Sequence, residues 1–347
     1  MNPIIQEDVN EILKAPLPWD QLLGKTVLVT GANGFLPAYM VRTLLELSNR
    51  HPNTPVQVIG LVRNLEKARQ RFMEYADNPC LKLIQGAITA PIQLDMPVDI
   101  IIHAASQASP KFYGTDPVGT LAANTLGTYY LLELAAEKKV SRFLYFSSSE
   151  VYGALDDASS ITENQYGKID PTQVRSCYAE SKRMGETTCV SFAAQKQIPV
   201  TIARPFHTYG PGLALDDGRV FADFVANVVK GENIVMNSDG AAVRSFCYLA
   251  DATVGFFTVL LLGESGHAYN VGNPDGAISI RDLANIVVQL YPEKQLNAVF
   301  GASQPGTYLA SSFNVLCPNI DKINRLGWKP KTGVAEGFRR TIDSFNQ

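Results

Sequence analysis

Tyr178 and Lys182 stand four positions apart near the middle of the chain. At a spacing of i,i+4 on a helix, their side chains lie on one face, one turn apart. A neighbouring ammonium favours the phenolate form, so we expect Lys182 to lower the pKa of Tyr178 and to let it act as a base. Ser148, which follows an apolar segment upstream, offers a hydroxyl that could hold the alcohol being deprotonated. This combination predicts the oxidation of a sugar alcohol.

A glycine-containing turn near the N-terminus indicates where a dinucleotide would bind. The β-branched run from Lys25 to Thr30 leads into Gly31-Ala32-Asn33-Gly34-Phe35-Leu36-Pro37, after which the apolar spacing becomes helical. A strand, a glycine turn and a helix in this order bind the pyrophosphate of a dinucleotide at the helix N-terminus. Pro37 replaces the usual third small residue, and proline is tolerated in the first helical turn. Together with the tyrosine and the lysine, this turn predicts a nicotinamide cofactor.

The end of the second strand bears on the choice between NAD and NADP. NAD sites usually place an acidic residue there for the ribose hydroxyls, whereas a nearby arginine accommodates a 2′-phosphate. This chain has Val62-Arg63-Asn64 at that point, followed by Lys67 and Arg69. The sequence therefore favours NADP, and NAD stays open because Arg63 could also be a solvated surface charge.

The composition fits a compact enzyme. Of 347 residues, 46% are hydrophobic and 18% charged, and the net charge of −3 gives no footprint for nucleic acid or an anionic membrane. No apolar run approaches the ~20 residues of a membrane span, and the acidic N-terminal segment does not resemble a signal peptide. The five cysteines have neither metal-ligand nor redox spacing. We expect a cytoplasmic protein without a metal.

Strands alternate with helices over most of the chain, which predicts an α/β fold. Predicted strands lie at 25–30, 56–62, 99–103, 142–146 and 200–203, and predicted helices at 35–47, 121–139, 173–197 and 220–230. The predicted architecture is a Rossmann-type doubly wound parallel sheet with a smaller C-terminal α/β substrate-binding cap. Its parts are an N-terminal extension at 1–23 that packs through Trp19, a dinucleotide-binding domain at 24–204 with a return segment near 237–262, and a cap at 205–236 and 263–347.

Longer segments resemble one enzyme family. They are Ala105-Ser106-Gln107-Ala108-Ser109-Pro110, Asn124-Thr125-Leu126-Gly127-Thr128, Ser148-Ser149-Glu150-Val151-Tyr152-Gly153, Arg175-Ser176-Cys177-Tyr178, Thr208-Tyr209-Gly210-Pro211, Asp217-Gly218-Arg219-Val220 and Arg244-Ser245-Phe246. From Lys25 onward the chain resembles the extended short-chain dehydrogenases/reductases of the NAD-dependent epimerase/dehydratase family, and within it the UDP-glucuronate decarboxylases. The resemblance implies a tightly bound NAD or NADP and a nucleotide-diphosphate sugar that passes through a 4-keto intermediate.

The resemblance also implies roles for individual residues. The catalytic residues would be Ser148, Ser149, Glu150, Tyr178, Lys182 and Arg244. Tyr178 would take the proton of the sugar 4-hydroxyl, Lys182 would hold the cofactor ribose, and Ser148 would bind the reacting oxygen. The cofactor would contact Gly31, Asn33, Gly34, Phe35, Leu36, Arg63, Ala104, Ala105, Ser106, Asn124, Ser147, Tyr178, Lys182, Pro205 and His207. The substrate would contact Gln107, Arg175, His207, Arg219 and Arg244.

The step that follows the 4-keto intermediate is left open. Ser149-Glu150 with Arg244 is the decarboxylase-like arrangement, whereas 4,6-dehydratases of the dTDP-glucose type carry Asp-Glu there. GDP-mannose 4,6-dehydratases also carry Ser-Glu, and their second strand ends in Val-Arg, as Val62-Arg63 does here. A 4,6-dehydratase is therefore the first alternative and a C4 epimerase the second. A non-catalytic NADP sensor would suit Arg63, but such proteins generally lose the tyrosine or the lysine.

Two further expectations concern His207 and the quaternary state. His207 stands where close relatives usually have asparagine. With an ordinary pKa near ~6.5 it could respond to pH, but a structural role is the favoured interpretation. The apolar spacing of the segments at 121–139 and 173–197 would let each helix pair with its symmetry mate. Two-fold association is the commonest symmetry of soluble enzymes, so we expect a homodimer.

Overall fold

The chain alternates strands and helices over most of its length. The structure is a computed structural model that describes residues 1–236, 238–300 and 315–346. The strands are β1 (Thr26–Thr30), β2 (Gln57–Val62), β3 (Leu81–Gln85), β4 (Ile100–His103), β5 (Arg142–Phe146), β6 (Val200–Pro205), β7 (His207–Tyr209), β8 (Ile234–Met236), β9 (Val243–Tyr248), β10 (Ala268–Val271), β11 (Ala277–Ser279), β12 (Ala298–Phe300) and β13 (Val315–Leu316). The helices are α1 (Pro3–Leu13), α2 (Phe35–Arg50), α3 (Leu65–Arg71), α4 (Lys111–Thr115), α5 (Pro117–Asn124), α6 (Leu126–Lys138), α7 (Cys177–Lys196), α8 (Val220–Lys230), α9 (Leu249–Leu262), α10 (Ile280–Gln289), α11 (Asp321–Asn324) and α12 (Val334–Asp343). Within these described ranges, no helix is both long and apolar enough to cross a membrane.

A seven-stranded parallel sheet forms the centre of the larger part, in the order β10-β6-β5-β4-β1-β2-β3. Along β1, Val27 and Val29 pack into one hydrophobic cluster and Leu28 into another. Both faces of the sheet are therefore covered, which explains why its strands are almost continuously apolar. The strand order reverses between β1 and β4, where sheets of this kind bind ligands outside the carboxyl ends of the strands. The predicted Rossmann-type doubly wound sheet is confirmed.

The smaller part is built around a second sheet, in which β9 pairs with β11, β13 and β7. The boundary between the two parts differs from the predicted one. Strand β10, which the sequence pattern assigns to the cap, pairs with β6 in the large sheet, while β9, in the predicted return segment, belongs to the small sheet. Short strands carry little information about the sheet they join, because their pairing depends on distant segments of the chain.

Two of the long predicted helices are interrupted, and both interruptions position site residues. The helix predicted at 121–139 is divided into α5 and α6 at Thr125, so that Asn124 ends α5. The helix predicted at 173–197 begins with a 3₁₀ turn at Val174–Ser176, and Arg175 lies in this turn just before α7. The side-chain Nδ2 of Asn124 donates a 3.0 Å hydrogen bond to the hydroxyl of Ser181, which fixes the end of α5 against α7.

The N-terminal extension is an integral part of the fold. Helix α1 begins after Asn2, whose side chain accepts hydrogen bonds from the amides of Ile4 and Ile5. The helix packs against α2 and α9, and its apolar residues belong to the main core. Trp19 packs edge-on against Phe257 with ring centroids 5.0 Å apart, in agreement with the expectation from sequence.

Candidate active site

Tyr178 and Lys182 lie in the first turns of α7, and both side chains are buried. The Lys182 ammonium is 5.8 Å from the centre of the Tyr178 ring. It donates a 2.6 Å hydrogen bond to the carbonyl oxygen of Phe146, the last residue of β5. This bond holds the lysine at the carboxyl edge of the large sheet. Helix α7 thus brings both residues to the end of the sheet where Ser148 begins the next turn.

The expected direction of the Tyr178 pKa shift is wrong for this structure. Burial raises the pKa of Tyr178 to about 12, and the charge of Glu150 raises it further, against hydrogen bonding with Ser148 and two nearby arginines. Burial also lowers the pKa of Lys182 to about 7, so the lysine is a weak counter-charge for a phenolate. The i,i+4 spacing identifies the two groups as neighbours but does not show how completely they are removed from water.

The turn after β5 carries the predicted serines. The Ser148 hydroxyl accepts a 3.2 Å hydrogen bond from the amide of Glu150 and so caps a short 3₁₀ turn, Ser149–Tyr152. Ser149 is buried within that turn. Ser147, predicted to bind the cofactor, donates a 2.5 Å hydrogen bond to a carboxylate oxygen of Glu186 on α7. Its hydroxyl is therefore directed to the helix, and its main-chain N–H donates to the carbonyl oxygen of Ala203, so neither donor is left for a cofactor.

The three arginines predicted to contact the substrate are all engaged within the protein. Arg175 forms a two-pronged ion pair with Glu150, with nitrogen–oxygen distances of 2.9 and 3.0 Å. Arg219 forms a similar fork with Asp217, two residues before it. Arg244 is buried on β9, where one guanidinium nitrogen donates a 2.8 Å hydrogen bond to the carbonyl oxygen of Val243. Sequence patterns do not reveal the pair of Arg175 and Glu150, because these residues are 25 positions apart and are brought together by the fold.

The glycine turn is packed against the loop after β4. Gly31 has a φ of +64°, and a Cβ there would lie 2.8 Å from the Cα of Ala105, so only glycine fits. The amide of Ala105 donates a 3.2 Å hydrogen bond to the Thr30 hydroxyl. Gly34 is the N-cap of α2, and the helix that begins at Phe35 presents its first amides at this point. Asn33 and Leu36 flank the cap, and Ala104 precedes Ala105, so these predicted cofactor residues form one continuous surface.

Five of the predicted site residues carry a buried polar atom that has no hydrogen-bond partner among the described residues. These atoms are Ser106 Oγ, Gln107 Oε1, Asn124 Oδ1, Arg175 Nε and His207 Nδ1. Buried polar groups are normally paired, so a concentration of unpaired ones in the predicted site is typical of a surface that contacts a polar ligand. Together with the glycine turn, the start of α2 and Lys182, this set fits a nicotinamide dinucleotide.

Arg63 lies at the exposed end of β2, beside the glycine turn. Its charge contributes to lowering the pKa of Asp116, after the larger effects of hydrogen bonds from Gln107 and the Gly119 amide. Asn64, which follows, caps α3 by accepting a 2.8 Å hydrogen bond from the amide of Lys67. No carboxylate occupies the residues that immediately follow β2, so a phosphate at this position would meet a guanidinium.

His207 occupies a different electrostatic environment from the one expected. Its imidazole lies between the rings of Phe221 and Phe246, with centroid distances of 6.3 and 5.8 Å. Burial, followed by the charges of Arg244 and Arg219, lowers its pKa to about 3. The ring therefore stays neutral near pH 7, which excludes a pH response there and agrees with the structural role that the sequence favours. Pro205, the other predicted residue of this segment, ends β6 opposite Val271.

Tyr113 is a site residue that the sequence did not predict. It lies on the short helix α4, and its ring stacks on that of Tyr178 with centroids 4.9 Å apart and an angle of 19°. Its hydroxyl donates a 2.9 Å hydrogen bond to the carbonyl oxygen of Ala108, and the Arg175 guanidinium lies 4.6 Å from its ring centre. The available signal was that Tyr113 closely follows the segment Ala105–Pro110, which resembles the family. A tyrosine in a five-residue helix, however, shows no periodicity that would identify it as a site residue.

Comparison with known proteins decides the family. Residues 27–272 match the model of the NAD dependent epimerase/dehydratase family. The chain belongs to this family. The chain is similar to UDP-glucuronic acid decarboxylase 6 from Arabidopsis thaliana, with 35% identity over 92% of this chain and 88% of the relative. UDP-glucuronic acid decarboxylase 1 from Xenopus tropicalis is 32% identical over 93% of this chain and 72% of the relative.

Solved structures give the same result for the fold. The dTDP-glucose 4,6-dehydratase DesIV from Streptomyces venezuelae, crystallised with NAD and TYD, superposes with a TM-score of 0.78 at 26% identity. The superposition covers 92% of this chain and 97% of that one. The predicted family and the prediction that this protein is an enzyme with an NAD-type cofactor are confirmed.

Proposed function

We propose that this epimerase/dehydratase family member decarboxylates UDP-glucuronate through a 4-keto intermediate. The observation that carries the proposal is the turn after β5, where Ser149 and Glu150 adjoin the buried pair of Tyr178 and Lys182. The relatives at 32% and 35% identity, both UDP-glucuronic acid decarboxylases, support the same reaction.

Tyr178 begins the reaction as the base for the sugar 4-hydroxyl. Ser148, whose hydrogen bonding lowers the pKa of this tyrosine, holds the 4-oxygen as it becomes a carbonyl. A nicotinamide bound here would supply the hydride chemistry at carbon 4, both the oxidation and the later reduction. Lys182, held at the end of β5 by the Phe146 carbonyl, is placed to bind the cofactor ribose.

The 4-ketone makes loss of the carboxylate straightforward. The bond between carbon 5 and the carboxylate carbon breaks, its electron pair enters an enolate conjugated with the 4-carbonyl, and CO₂ leaves. A proton then adds to carbon 5. We assign Arg244 to the substrate carboxylate, because it is a buried cation on β9 beside His207, whose pKa its charge lowers.

A serine before Glu150 argues against the dehydratase alternative of the dTDP-glucose type. Elimination of water across carbons 5 and 6 needs an acid that protonates the departing hydroxyl. Ser149 is buried at the position where such an acid would stand, and an unactivated hydroxyl is a poor proton donor to another hydroxyl. The GDP-mannose type, which also carries Ser-Glu, is left for experiment to exclude.

The test is incubation of the purified protein with UDP-glucuronate, with and without added NAD or NADP, followed by mass spectrometry and proton NMR. We expect the loss of CO₂ and the signals of a UDP-pentose. A product of unchanged mass would support the epimerase instead. No turnover with either cofactor would overturn the proposal, and GDP-mannose and dTDP-glucose would then be tested for a 4-keto-6-deoxy product.

We also infer that the cofactor is NADP, bound through Arg63. The exposed guanidinium at the end of β2 can pair with a 2′-phosphate, and no carboxylate follows β2 directly to bind free ribose hydroxyls. Arg63→Asp is expected to weaken NADP binding about tenfold or more, because hydrogen bonds to charged groups contribute ~1.5–3 kcal/mol, and to leave NAD binding less affected. The control is Arg69→Ala, because Arg69 is a nearby arginine that lies in the last turn of α3 and not at the end of β2. Calorimetric titration with each dinucleotide measures this, and a wild-type protein that binds NAD more tightly than NADP would contradict it.

The protein is further proposed to form a homodimer through α5, α6 and α7. These three helices pack together, and their outer surfaces expose a set of large apolar side chains: Leu121, Leu126, Tyr129, Met184 and Val190. Met184→Lys is expected to convert the protein to a monomer in light scattering, because burying an unpaired ammonium in an interface costs several kcal/mol. Met73→Lys is the control, since Met73 is also exposed but lies outside these helices. A wild-type protein that is monomeric at micromolar concentration would refute the proposal.

A further inference from the structure

The ion pair of Glu150 and Arg175 forms part of a stack that ends at Tyr178. Both guanidinium tips of Arg175 bind the two carboxylate oxygens of Glu150, in the parallel geometry of the strongest arginine–carboxylate pairs. The Cζ atom of the guanidinium lies over the ring of Tyr113, 4.6 Å from its centre, and the Tyr113 ring is stacked on Tyr178. The side chains of Glu150 and Arg175 are 25% and 27% exposed, so solvent screens the pair only in part.

Arg175 has little capacity left for a substrate carboxylate. Each of its two Nη nitrogens donates one hydrogen bond to Glu150, its Cζ lies over the ring of Tyr113, and its Nε is buried without a partner among the described residues. The remaining two-pronged edge of the guanidinium, formed by Nε and its neighbouring Nη, is buried at Nε, so an incoming carboxylate would have to displace Glu150 or move the arginine side chain. The assignment of Arg175 to substrate binding, which the family resemblance implies, is therefore not the one that this geometry favours.

Glu150 needs a partner that fixes it. It lies in a single 3₁₀ turn after β5, while Arg175 comes from another 3₁₀ turn immediately before α7. The pair therefore ties the turn that carries Ser148 to the start of the helix that carries Tyr178. A glutamate side chain has several accessible rotamers, and a planar guanidinium that binds both oxygens selects one of them.

Charged groups of both signs surround Tyr178. Glu150 is the negative group, and Arg175, Arg219 and, on its own helix, Lys182 are the positive ones. The charge of Glu150 raises the pKa of Tyr178, and the charge of Arg175 opposes it. If Arg175 were neutral, Arg219 and Lys182 alone would be left to offset the effect of the carboxylate on the phenol.

We propose that Arg175 is a positioning residue that acts through Glu150: it fixes the carboxylate in one orientation and offsets its charge at Tyr178. The role rests on the proposed function, in which Tyr178 is the base, and it assigns Arg175 to the catalytic machinery rather than to the substrate. The guanidinium fork and its charge have separable effects, because lysine retains the charge but cannot bind both oxygens in one plane.

The first experiment needs no substrate. The full-length protein is prepared with 3,5-difluorotyrosine at position 178, whose phenol is more acidic than that of tyrosine, and is titrated by ¹⁹F NMR. Arg175→Gln is expected to raise the titration midpoint by about one pH unit, the lower end of the effect of a nearby charge. The double variant Glu150→Gln with Arg175→Gln is expected to return the midpoint to the wild-type value. An unchanged midpoint in Arg175→Gln would overturn the electrostatic role.

The second experiment separates positioning from substrate binding. With UDP-glucuronate as substrate, Arg175→Lys is expected to lower kcat about tenfold or more, as expected for disturbed general acid–base geometry, with KM nearly unchanged. A raised KM at unchanged kcat would show that Arg175 binds substrate and would overturn the proposal. If the wild-type protein does not turn over UDP-glucuronate, the proposed function fails, and the fluorine titration still decides the relation of Arg175 to Tyr178.

Discussion

Replacement of Tyr178 by phenylalanine is expected to reduce turnover of UDP-glucuronate about 10²–10⁴-fold, the usual contribution of a general base. The variant keeps the ring that stacks on Tyr113, so the site should hold its shape. It loses the phenol that forms a hydrogen bond with Ser148 and lies near Lys182 at the carboxyl edge of the sheet. Steady-state rates and stopped-flow absorbance of the reduced nicotinamide measure the effect on turnover and on the hydride step separately.

The control for Tyr178→Phe is the same substitution at Tyr166, which is 68% exposed in the loop before α7. Tyr166→Phe is expected to stay within a factor of two of the wild type, because surface substitutions of this kind change free energies by at most about 0.5 kcal/mol. Cofactor binding should survive in both variants. A Tyr178→Phe protein that retains more than a tenth of the wild-type rate would show that another group takes the proton.

The rate should also depend on pH in a defined direction. Because burial raises the pKa of Tyr178 to about 12, only the fraction of protein with an ionised phenol can act, and this fraction increases as the pH rises towards the pKa. The rate of the hydride step is therefore expected to rise with pH above neutrality, and the positive charge of a bound oxidised nicotinamide would shift this rise to lower pH.

Features that depend on local spacing could be predicted from the sequence. The apolar β-branched run before Gly31 and the helical spacing after it required a strand, a tight turn and a helix, and β1 and α2 follow in that order. The i,i+4 separation of Tyr178 and Lys182 likewise placed both on one face of α7. Such features depend on residues within one or two turns of each other, which is why a single sequence contains enough information for them.

Features that depend on distant partners could not be predicted. The engagement of Arg175 by Glu150, the burial that lowers the pKa of His207, and the membership of β10 in the large sheet all arise from residues far apart in sequence. The raised pKa of Tyr178 belongs to the same class, since its largest cause is burial by surrounding elements. Tyr113 escaped prediction because its role depends on contacts with α7 and not on its own neighbours in the chain.

A buried acid in the N-terminal helix shows how strongly distant segments are coupled. Asp8, on α1, is 3% exposed. One of its carboxylate oxygens accepts hydrogen bonds from the hydroxyls of Tyr39 on α2, at 2.9 Å, and Tyr248 at the end of β9, at 2.7 Å. The other accepts a 2.8 Å hydrogen bond from Arg340 on α12. One carboxylate thus joins the N-terminal extension to the dinucleotide-binding helix, the small sheet and the C-terminal helix.

Asp8→Ala is therefore expected to lower the free energy of unfolding by about 3–5 kcal/mol, the range for removing one partner of a buried ion pair. The substitution leaves the buried Tyr39 hydroxyl without its acceptor and Arg340 without its better-buried partner. Urea denaturation followed by tryptophan fluorescence measures the change, since Trp19 lies in the same extension and reports its detachment.

Glu7→Ala is the matched control, because Glu7 is the adjacent residue and pairs with the same Arg340 at 3.1 Å. Its side chain is 64% exposed, against 4% for that of Asp8, so its loss should cost about 1 kcal/mol or less. If the two variants were equally stable, the network around Asp8 would not hold α1 in place. A large difference would instead mean that α1 stabilises the fold through Asp8. Because Asp8 binds Tyr39 on α2, the helix that begins after Gly34, the N-terminal extension would then help to hold in place the helix that begins at the glycine turn.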